Sequence, residues 1–446
     1  MFAVVLHVIQ YVLLFFWGYW LFIGLFGFGK AKKMPDSAPA TRFALFVPAH
    51  NEERVVYNLL DNLNHLDYPK HMYDVFLIAD NCTDDTALIG HKANVHVLEH
   101  FSEKDEPKGK PYAIKYAIDE LGDRLMQDYD AIAIFDADNL VSLNYLQTMN
   151  NHVVRGDQLI QCYLDSKNPN DNWITLSYAT SYYYMNRSWQ LAKSRLRLGN
   201  ALGGTGFCLT TELLQKIGWT ARSLTEDLEF TMQSLLHGDY AKWNHFARVY
   251  DEKPEGFVAS AIQRLRWARG HWDVCFHYVG PLLLRSFLRF DIRAFDGAMY
   301  LLNPGKIVLG SLTSLLILTK WLINVHAINL HIKAVHHILP IWIWIGALSF
   351  NLAYISFGVI LDSGRRINLV KAIASVFVFN YTYIPLFIWG FFTARNKTWK
   401  RTDHTRDILI NDVHQLDGVI PSSAENNPEH TEIHQRTPSS QAPNPE

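Results

Sequence analysis

Residues 1–29 form an almost unbroken apolar and aromatic run without a single Asp, Glu, Lys or Arg. As a helix rising about 1.5 Å per residue, such a run exceeds the roughly 30 Å hydrocarbon thickness of a bilayer and predicts a spanning segment. A signal peptide would need a positive n-region and a shorter core, and this stretch has neither. Lys30, Lys32, Lys33 and Arg42 follow at once, so the positive-inside rule expects the N-terminus outside and residue 42 onward in the cytoplasm. Apolar runs return at 307–328, 338–361 and 372–394. The first two predict spans, and Lys320 within the first is expected to snorkel toward headgroups. The third has Arg365, Arg366 and Lys371 before it and Arg395, Lys397, Lys400, Arg401 and Arg406 after it. Two basic flanks ask for two cytoplasmic ends, so 372–394 is read as re-entrant or interfacial, with an ordinary further span as the rival. Pro385, Asn380 and Thr382 in its middle favour a break or a protein-lined surface.

Between the membrane segments the pattern changes. "FALFVPA", "DVFLIAD", "NVHVLE", "DAIAIFD" and "DQLIQCY" are short β-type runs separated by amphipathic stretches, which predicts a Rossmann-like α/β domain with a mostly parallel sheet over 41–255. Interfacial helices are expected at 256–300. In such sheets ligands bind beyond the carboxyl ends of the strands. His50, Asn51 and Glu52 follow the first run, Asp80 and Asn81 the second, and Asp136 and Asp138 the fourth. A nucleotide-type ligand is therefore expected there. The last stretch, 411–446, holds five prolines, six acidic residues and one arginine and is predicted to be a disordered tail.

Composition sharpens this only in part. With 49% hydrophobic and 13% aromatic residues the chain is rich for a soluble enzyme, and a formal net charge of -2 offers no basic field for nucleic acid. Cys82, Cys162, Cys208 and Cys275 are far apart, which suits four reduced thiols and neither zinc spacing nor a disulfide framework.

The candidate chemistry lies in short motifs. No G-x-G-x-x-G or G-x-x-x-x-G-K-[ST] is present, so phosphates need another partner. In "FDADN", Asp136 and Asp138 at a strand end can hold a hard divalent cation whose other ligands are diphosphate oxygens, or else merely terminate a turn. In "SLTEDLEF", Ser223 and Glu226 read as a capping box, which leaves Asp227 to serve either the helix macrodipole or catalysis. In "DNCTDDTA", Thr83 or Asp84 suits an N-cap, and Asp80 is free to meet a base or ribose. "KGKPYAIKYAI" places Lys110 at a helix start, where it can meet phosphate or water. "QRLRWARGHW" puts Gln263, Arg266 and Trp267 on one helical face, with Arg264 and Arg269 expected at headgroups and Trp272 in an aromatic belt.

Taken in order, "VPAHNEE", "DNCTDDT", "KGKPYAI", "FDADN", "GGTGF", "LTED" and "QRLRW" resemble the family 2 processive glycosyltransferases of the cellulose, hyaluronan and poly-N-acetylglucosamine synthase type, over roughly 41–275. The resemblance implies a GT-A fold, a UDP-sugar donor, Mg or Mn, and inverting transfer to a growing polysaccharide that the same chain threads through the plasma membrane. It places Glu52 and Asp80 at the uridine, Lys110 and Asp136 at the nucleotide, and Asp138 on the metal. It places Gly204, Thr205 and Gly206 beside the acceptor and makes Asp227 the general base with Glu226 next to it. Gln263 and Arg266 would line the donor and Trp267 the acceptor. "TWKRT" resembles a gating loop, expected within 395–410, with Trp399 and Thr402 closing over the nucleotide. The chain shows no paired-cysteine zinc domain, which makes cellulose the less expected product. A non-processive enzyme making a glycolipid is the rival, and accessory export or regulatory proteins are further candidate partners.

Overall fold

The computed structural model describes residues 2–104, 106–326, 337–363, 367–398 and 408–410. Eight strands form one sheet: β1 (Phe43–Ala49), β2 (Tyr73–Asp80), β3 (His96–His100), β4 (Ala131–Ile134), β5 (Leu140–Val141), β6 (Leu159–Ser166), β7 (Phe207–Thr210) and β8 (Lys242–Asp251). All five β-type runs read from the pattern are strands. Helices within the first half are α1 (Phe2–Leu25), α2 (Val56–Asn64), α3 (Thr86–Lys92), α4 (Lys110–Asp128), α5 (Tyr145–Val153), α6 (Trp173–Met185) and, after a π-helical stretch at Asn186–Leu191, α7 (Ala192–Arg195). Then come α8 (Thr211–Ile217), α9 (Glu226–His237), α10 (Phe257–Arg289), α11 (Ile292–Leu301), α12 (Asn303–Asn324), α13 (Ile341–Asp362) and α14 (Leu369–Phe392).

Every residue of β1 is buried, as its uninterrupted apolar run demands of a strand covered on both faces. The strand order is β3-β2-β1-β4-β7-β6-β8-β5. β1, β2, β3 and β4 run parallel, whereas β7 is antiparallel to both β4 and β6, and β5 is antiparallel to β8. The sheet is therefore mixed, not mostly parallel as the alternation suggested. The reversal has a consequence for the site. Because Phe207 pairs with Ile134, the glycine-rich loop entering β7 stands beside the "FDADN" loop leaving β4. β8 runs parallel to β6 and brings Asp251 to the same end.

Among the described residues four helices, α1, α12, α13 and α14, are long and apolar enough to cross a membrane. Two arginines tie α1 to the catalytic unit. Arg195 donates to the carbonyls of Phe26 (2.7 Å) and Lys30 (2.9 Å), and Arg187 to that of Gly29 (2.9 Å), supplying donors to carbonyls just past the helix end. Arg187 Nε also donates to Asp362 at the end of α13, at 2.6 Å. Lys320 donates to the Ile338 carbonyl at 2.9 Å, so its ammonium is used by the protein itself.

α14 departs from the sequence reading. It is one uninterrupted helix of 24 residues with Pro385 inside it, so the re-entrant break does not occur and the interfacial or spanning alternatives are left. Leu369 at its start packs in the cluster that holds Tyr163 and Trp243 of the sheet. Just past its other end Thr393 accepts a hydrogen bond from Arg269 of α10 at 3.0 Å. One end thus touches the sheet and the other α10.

The same helix corrects the expected interfacial face of α10. Arg264 is fully buried, donates to Thr382 Oγ1 at 2.5 Å and lies 4.2 Å above the Phe379 ring. Trp272 is buried and donates to the Phe387 carbonyl at 2.9 Å. Arg264 and Trp272 are therefore buried against α14 and not at headgroups or in an aromatic belt, and Arg269 is tied to the residue just past its end. A cation and an indole suit either partner, and only packing chooses.

Candidate active site

The carboxyl ends of the parallel strands build the first part of the site. The Asp80 carboxylate is hydrogen-bonded to His100 Nδ1 at 2.7 Å and accepts from Asn81 Nδ2 at 2.8 Å. Asn51 and Asn81 turn in the left-handed region (φ 57° and 51°) directly after β1 and β2, a conformation that asparagine tolerates. Glu52 is buried, and its backbone N–H donates to Thr86 Oγ1 at 2.8 Å. At the head of α3 the N-cap is Asp85, not Thr83 or Asp84 as the sequence suggested, although the Asp84 carboxylate accepts from the Thr86 N–H at 3.1 Å. His100 went unnoticed in the sequence, although its position at the end of β3 was the available signal.

Lys110 opens α4 and closes the next layer. Its ammonium is 2.5 Å from both Asp136 Oδ1 and the Gly204 carbonyl and 3.5 Å from Glu226 Oε1. Burial works against its charge, but Asp136 and Glu226 outweigh burial and hold the ammonium above its usual range. Glu226 is not the capping-box partner of Ser223. The N-cap is Thr225, without a side-chain bond, and the Ser223 N–H instead donates to Glu229 at 2.7 Å. α10 comes close to this helix start because Gly270 has no side chain; a Cβ there would stand 2.5 Å from Thr225 Oγ1.

Asp227 follows in the first turn of α9. Burial, reinforced by Glu226 and opposed by Lys110 and Arg266, pushes its carboxyl up to about 7, which suits a proton acceptor working near neutrality. Gly204 faces it: in a backbone conformation of φ +85°, a Cβ at Gly204 would lie 3.7 Å from Asp227 Oδ2. That leaves room for a hydroxyl beside the carboxylate.

Two of the expected acceptor residues have other work. Thr205 is buried, hydrogen-bonds Asn139 and accepts from the Asp136 N–H at 3.1 Å, so it locks the glycine-rich loop to the metal motif. Gly206 does not line the cavity. With φ +62°, its absent Cβ would stand 2.4 Å from Cys162 Sγ, and the residue serves the turn into β7.

Asp138 is buried, and its Oδ2 accepts from the Glu252 N–H at 3.2 Å. Asp251 stands nearby with Oδ1 buried and without a hydrogen bond. Burial raises its carboxyl to about 6; Lys253 opposes this, while Asp138 and Asp136 add to it. This local excess of negative oxygen is the environment a hard divalent cation relieves. Among the described residues no three His, Cys, Asp or Glu side chains converge to hold an ion by themselves. The protein therefore fits a cation that takes one or two carboxylates and fills its other positions from diphosphate and water. Asp251 and Lys253 were missed in the sequence because no motif there marks them.

On α10, Gln263 Oε1 accepts from the Tyr178 hydroxyl at 3.1 Å, and the Trp267 ring meets Tyr178 edge-on at 6.1 Å. Glu52, Asp80, Lys110, Asp136, Asp138, Gly204, Thr205, Glu226, Asp227, Gln263, Arg266 and Trp267 all line one cavity of about 1580 Å³. Beyond Trp267 that cavity continues between membrane-type helices, past Ser311 and Ile317 of α12, Trp344 and Leu348 of α13 and Asn380 of α14. Trp399 and Thr402 lie outside the described residues, as does the tail 411–446.

The family profile described as "Glycosyltransferase like family 2" matches residues 39–270, over half of the chain. The chain belongs to that family. This glycosyltransferase is 23% identical over 375 residues to the probable glycosyltransferase YdaM of Bacillus subtilis, covering 79% of this chain and 82% of the relative. It is 27% identical to a beta-monoglucosyldiacylglycerol synthase of Nostoc, covering 68% and 67%. It is 24% identical to a poly-beta-1,6-N-acetyl-D-glucosamine synthase of Staphylococcus aureus, covering 50% and 53%. Among solved structures, the mannosyltransferase PcManGT of Pyrobaculum calidifontis, in complex with GDP-Man and Mn2+, superposes with a TM-score of 0.55 at 16% identity, covering 85% of this chain and 99% of that one. That likeness shows the GT-A-like Rossmann-type fold.

Proposed function

We propose that this glycosyltransferase moves a sugar from a UDP-sugar, with inversion, onto a growing β-linked polysaccharide that leaves through the membrane end of the cavity. The observation that carries the reading is the continuity of that cavity from Asp80 and Asp138, past Asp227 and Trp267, into the space between α12, α13 and α14. Asp227 takes the proton from the acceptor hydroxyl; the freed oxygen attacks the anomeric carbon from the face opposite the nucleotide, and UDP leaves with the bonding pair. Mg or Mn, held by Asp138 with Asp136 beside it, would neutralise charge on the departing diphosphate. Lys110 and Arg266 supply protein cations on the same side. Glu52 and Asp80 border the uridine, and the flat face of Trp267 receives a pyranose ring.

In this reading α1, α12 and α13 span the plasma membrane and the catalytic unit is cytoplasmic. α14 lies along the inner interface, because one of its ends touches the sheet and the other α10. A second reading, a glycolipid synthase, draws support from the apolar membrane end of the cavity at Ile317, Leu318, Ile345 and Leu348 and from the Nostoc relative. Membranes incubated with radiolabelled UDP-sugars separate the two: a water-soluble or insoluble high-mass product is expected, and label that partitions wholly into organic solvent overturns the polymer reading.

Two variants test the parts. Asp138→Asn should weaken UDP binding in Mg or Mn at least about tenfold, the low end even for an outer-shell metal partner, with metal-free binding unchanged; unaltered affinity in metal reduces Asp138 to a turn residue. Trp267→Ala removes the flat apolar face on which the pyranose would rest, so chains should shorten while donor hydrolysis persists. Full-length product from this variant returns Trp267 to packing.

A further inference from the structure

Where the catalytic cavity meets the membrane helices, a lysine, two indole N–H groups and an amide gather without partners among the described residues. Lys306, in the first turn of α12, lines the cavity. Among the described residues its ammonium has no ion pair or hydrogen bond, and its recorded neighbour is the Trp20 ring, 5.9 Å away. The indole N–H groups of Trp20 and Trp189 are both buried without partners, and the two rings meet edge-on at 5.9 Å. Asn303 Oδ1, also facing the cavity, is buried and unpaired; turning the amide over presents its NH2 instead. The acid near this cluster, Asp296, is already paired with Lys193 at 2.6 Å and accepts from Tyr19 at 2.8 Å.

A cation with two unpaired indole donors and an amide that can turn its NH2 to the same side is the complement of an anion, and leaving such groups unmatched is costly. Its depth selects the anion. The adjoining lining is apolar and belongs to membrane helices, with Leu13 and Trp17 of α1 and Ile307 and Ile317 of α12, which suits acyl chains. A phosphate offers several acceptor oxygens to diverging donors, and lysine binds it as a point charge. We propose that Lys306, Asn303 and Trp189 form a subsite for the phosphate of an anionic lipid whose acyl chains lie along α1 and α12. The site lies beside the path from Asp227 to the membrane, so such a lipid is placed to present the first acceptor. That role, unlike the binding itself, rests on the transfer reading above.

The test uses the full chain purified in detergent, with lipid retention read by native mass spectrometry. Dioleoyl phosphatidic acid should be retained about tenfold or more over dioleoylglycerol, the scale of one charge-assisted hydrogen bond. Lys306→Met should bring both lipids to the same level, and Lys306→Arg should restore the preference. UDP affinity unchanged in Lys306→Met shows that its fold is intact. Equal retention of the two lipids by the native chain, or a preference that survives Lys306→Met, overturns the proposal. Inorganic phosphate that binds as tightly as phosphatidic acid, and through Lys306, makes the ligand a water-borne anion and overturns the lipid assignment. If Lys306-dependent lipid retention is found but no UDP-sugar is turned over, the subsite stands and the transfer reading falls alone.

Discussion

Asp227→Asn lowers sugar transfer by about 10²–10⁴-fold, the range that a positioned general base contributes, and leaves UDP affinity within about twofold, because proton abstraction acts on the acceptor and not on the donor. The amide is nearly isosteric with the carboxyl and keeps the neighbours Gly204 and Arg266 in place, so the loss reports proton transfer and not collapse. The pH profile adds a second readout. A base must be deprotonated, and burial beside Glu226 holds the Asp227 carboxyl at about 7. Transfer should therefore fall about tenfold per pH unit below that value and level off above it. Glu226→Gln removes the neighbouring negative charge, so the acid limb should move to lower pH. Single-turnover rates between pH 5 and 9 measure both effects. A profile in Glu226→Gln identical to that of the native enzyme, or near-normal turnover in Asp227→Asn, removes Asp227 from the role of base.

Lys193→Met should destabilise the protein by about 3–5 kcal/mol, the cost of leaving a buried charge uncompensated. Lys193 and Asp296 are 3% and 1% exposed and 2.6 Å apart, and Asp296 also receives the Tyr19 hydroxyl at 2.8 Å. The pair thus joins α7, α11 and α1 beneath the catalytic unit. Removing the ammonium strands a carboxylate in an apolar junction. Replacing both partners, as Lys193→Met with Asp296→Leu, should recover most of the loss, because two apolar groups leave no charge behind. Thermal unfolding in detergent, followed by intrinsic fluorescence, measures each variant. A single mutant as stable as the native chain would show that water reaches Asp296 and that the pair is not buried in solution.

The spacing of apolar positions was enough to place the catalytic strands and the helices that can span a membrane, because periodicity and length are local properties of the chain. The motifs were equally legible where chemistry is written in adjacent residues: Asp136 and Asp138, Glu226 and Asp227, and Gln263, Arg266 and Trp267 all line the cavity. Other features depended on partners distant in sequence. Ser223 and Glu226 have the spacing of a capping box, yet Glu226 faces Lys110 across the site, and Glu229 bonds the Ser223 N–H in its place. Gly206 looks like part of an acceptor loop until the Cys162 side chain is seen against it.

By itself, then, the sequence determined the α/β class, the four apolar helices and most of the side chains that line the cavity, since each is encoded within a few turns or one strand. Tertiary structure alone decided three other things. β7 reverses between β4 and β6, and so carries the glycine-rich loop to the metal motif. Asp251, brought in by β8 from more than a hundred residues away, joins Asp138. Arg264 and Arg269 of α10, which a membrane surface would suit as well, are bound by α14 and the residue just past it. A side chain's chemistry limits what it can bind, but the partner it meets is set by packing across the whole fold, where burial makes a hydrogen bond or charge pair far costlier to leave unmade than it is in water.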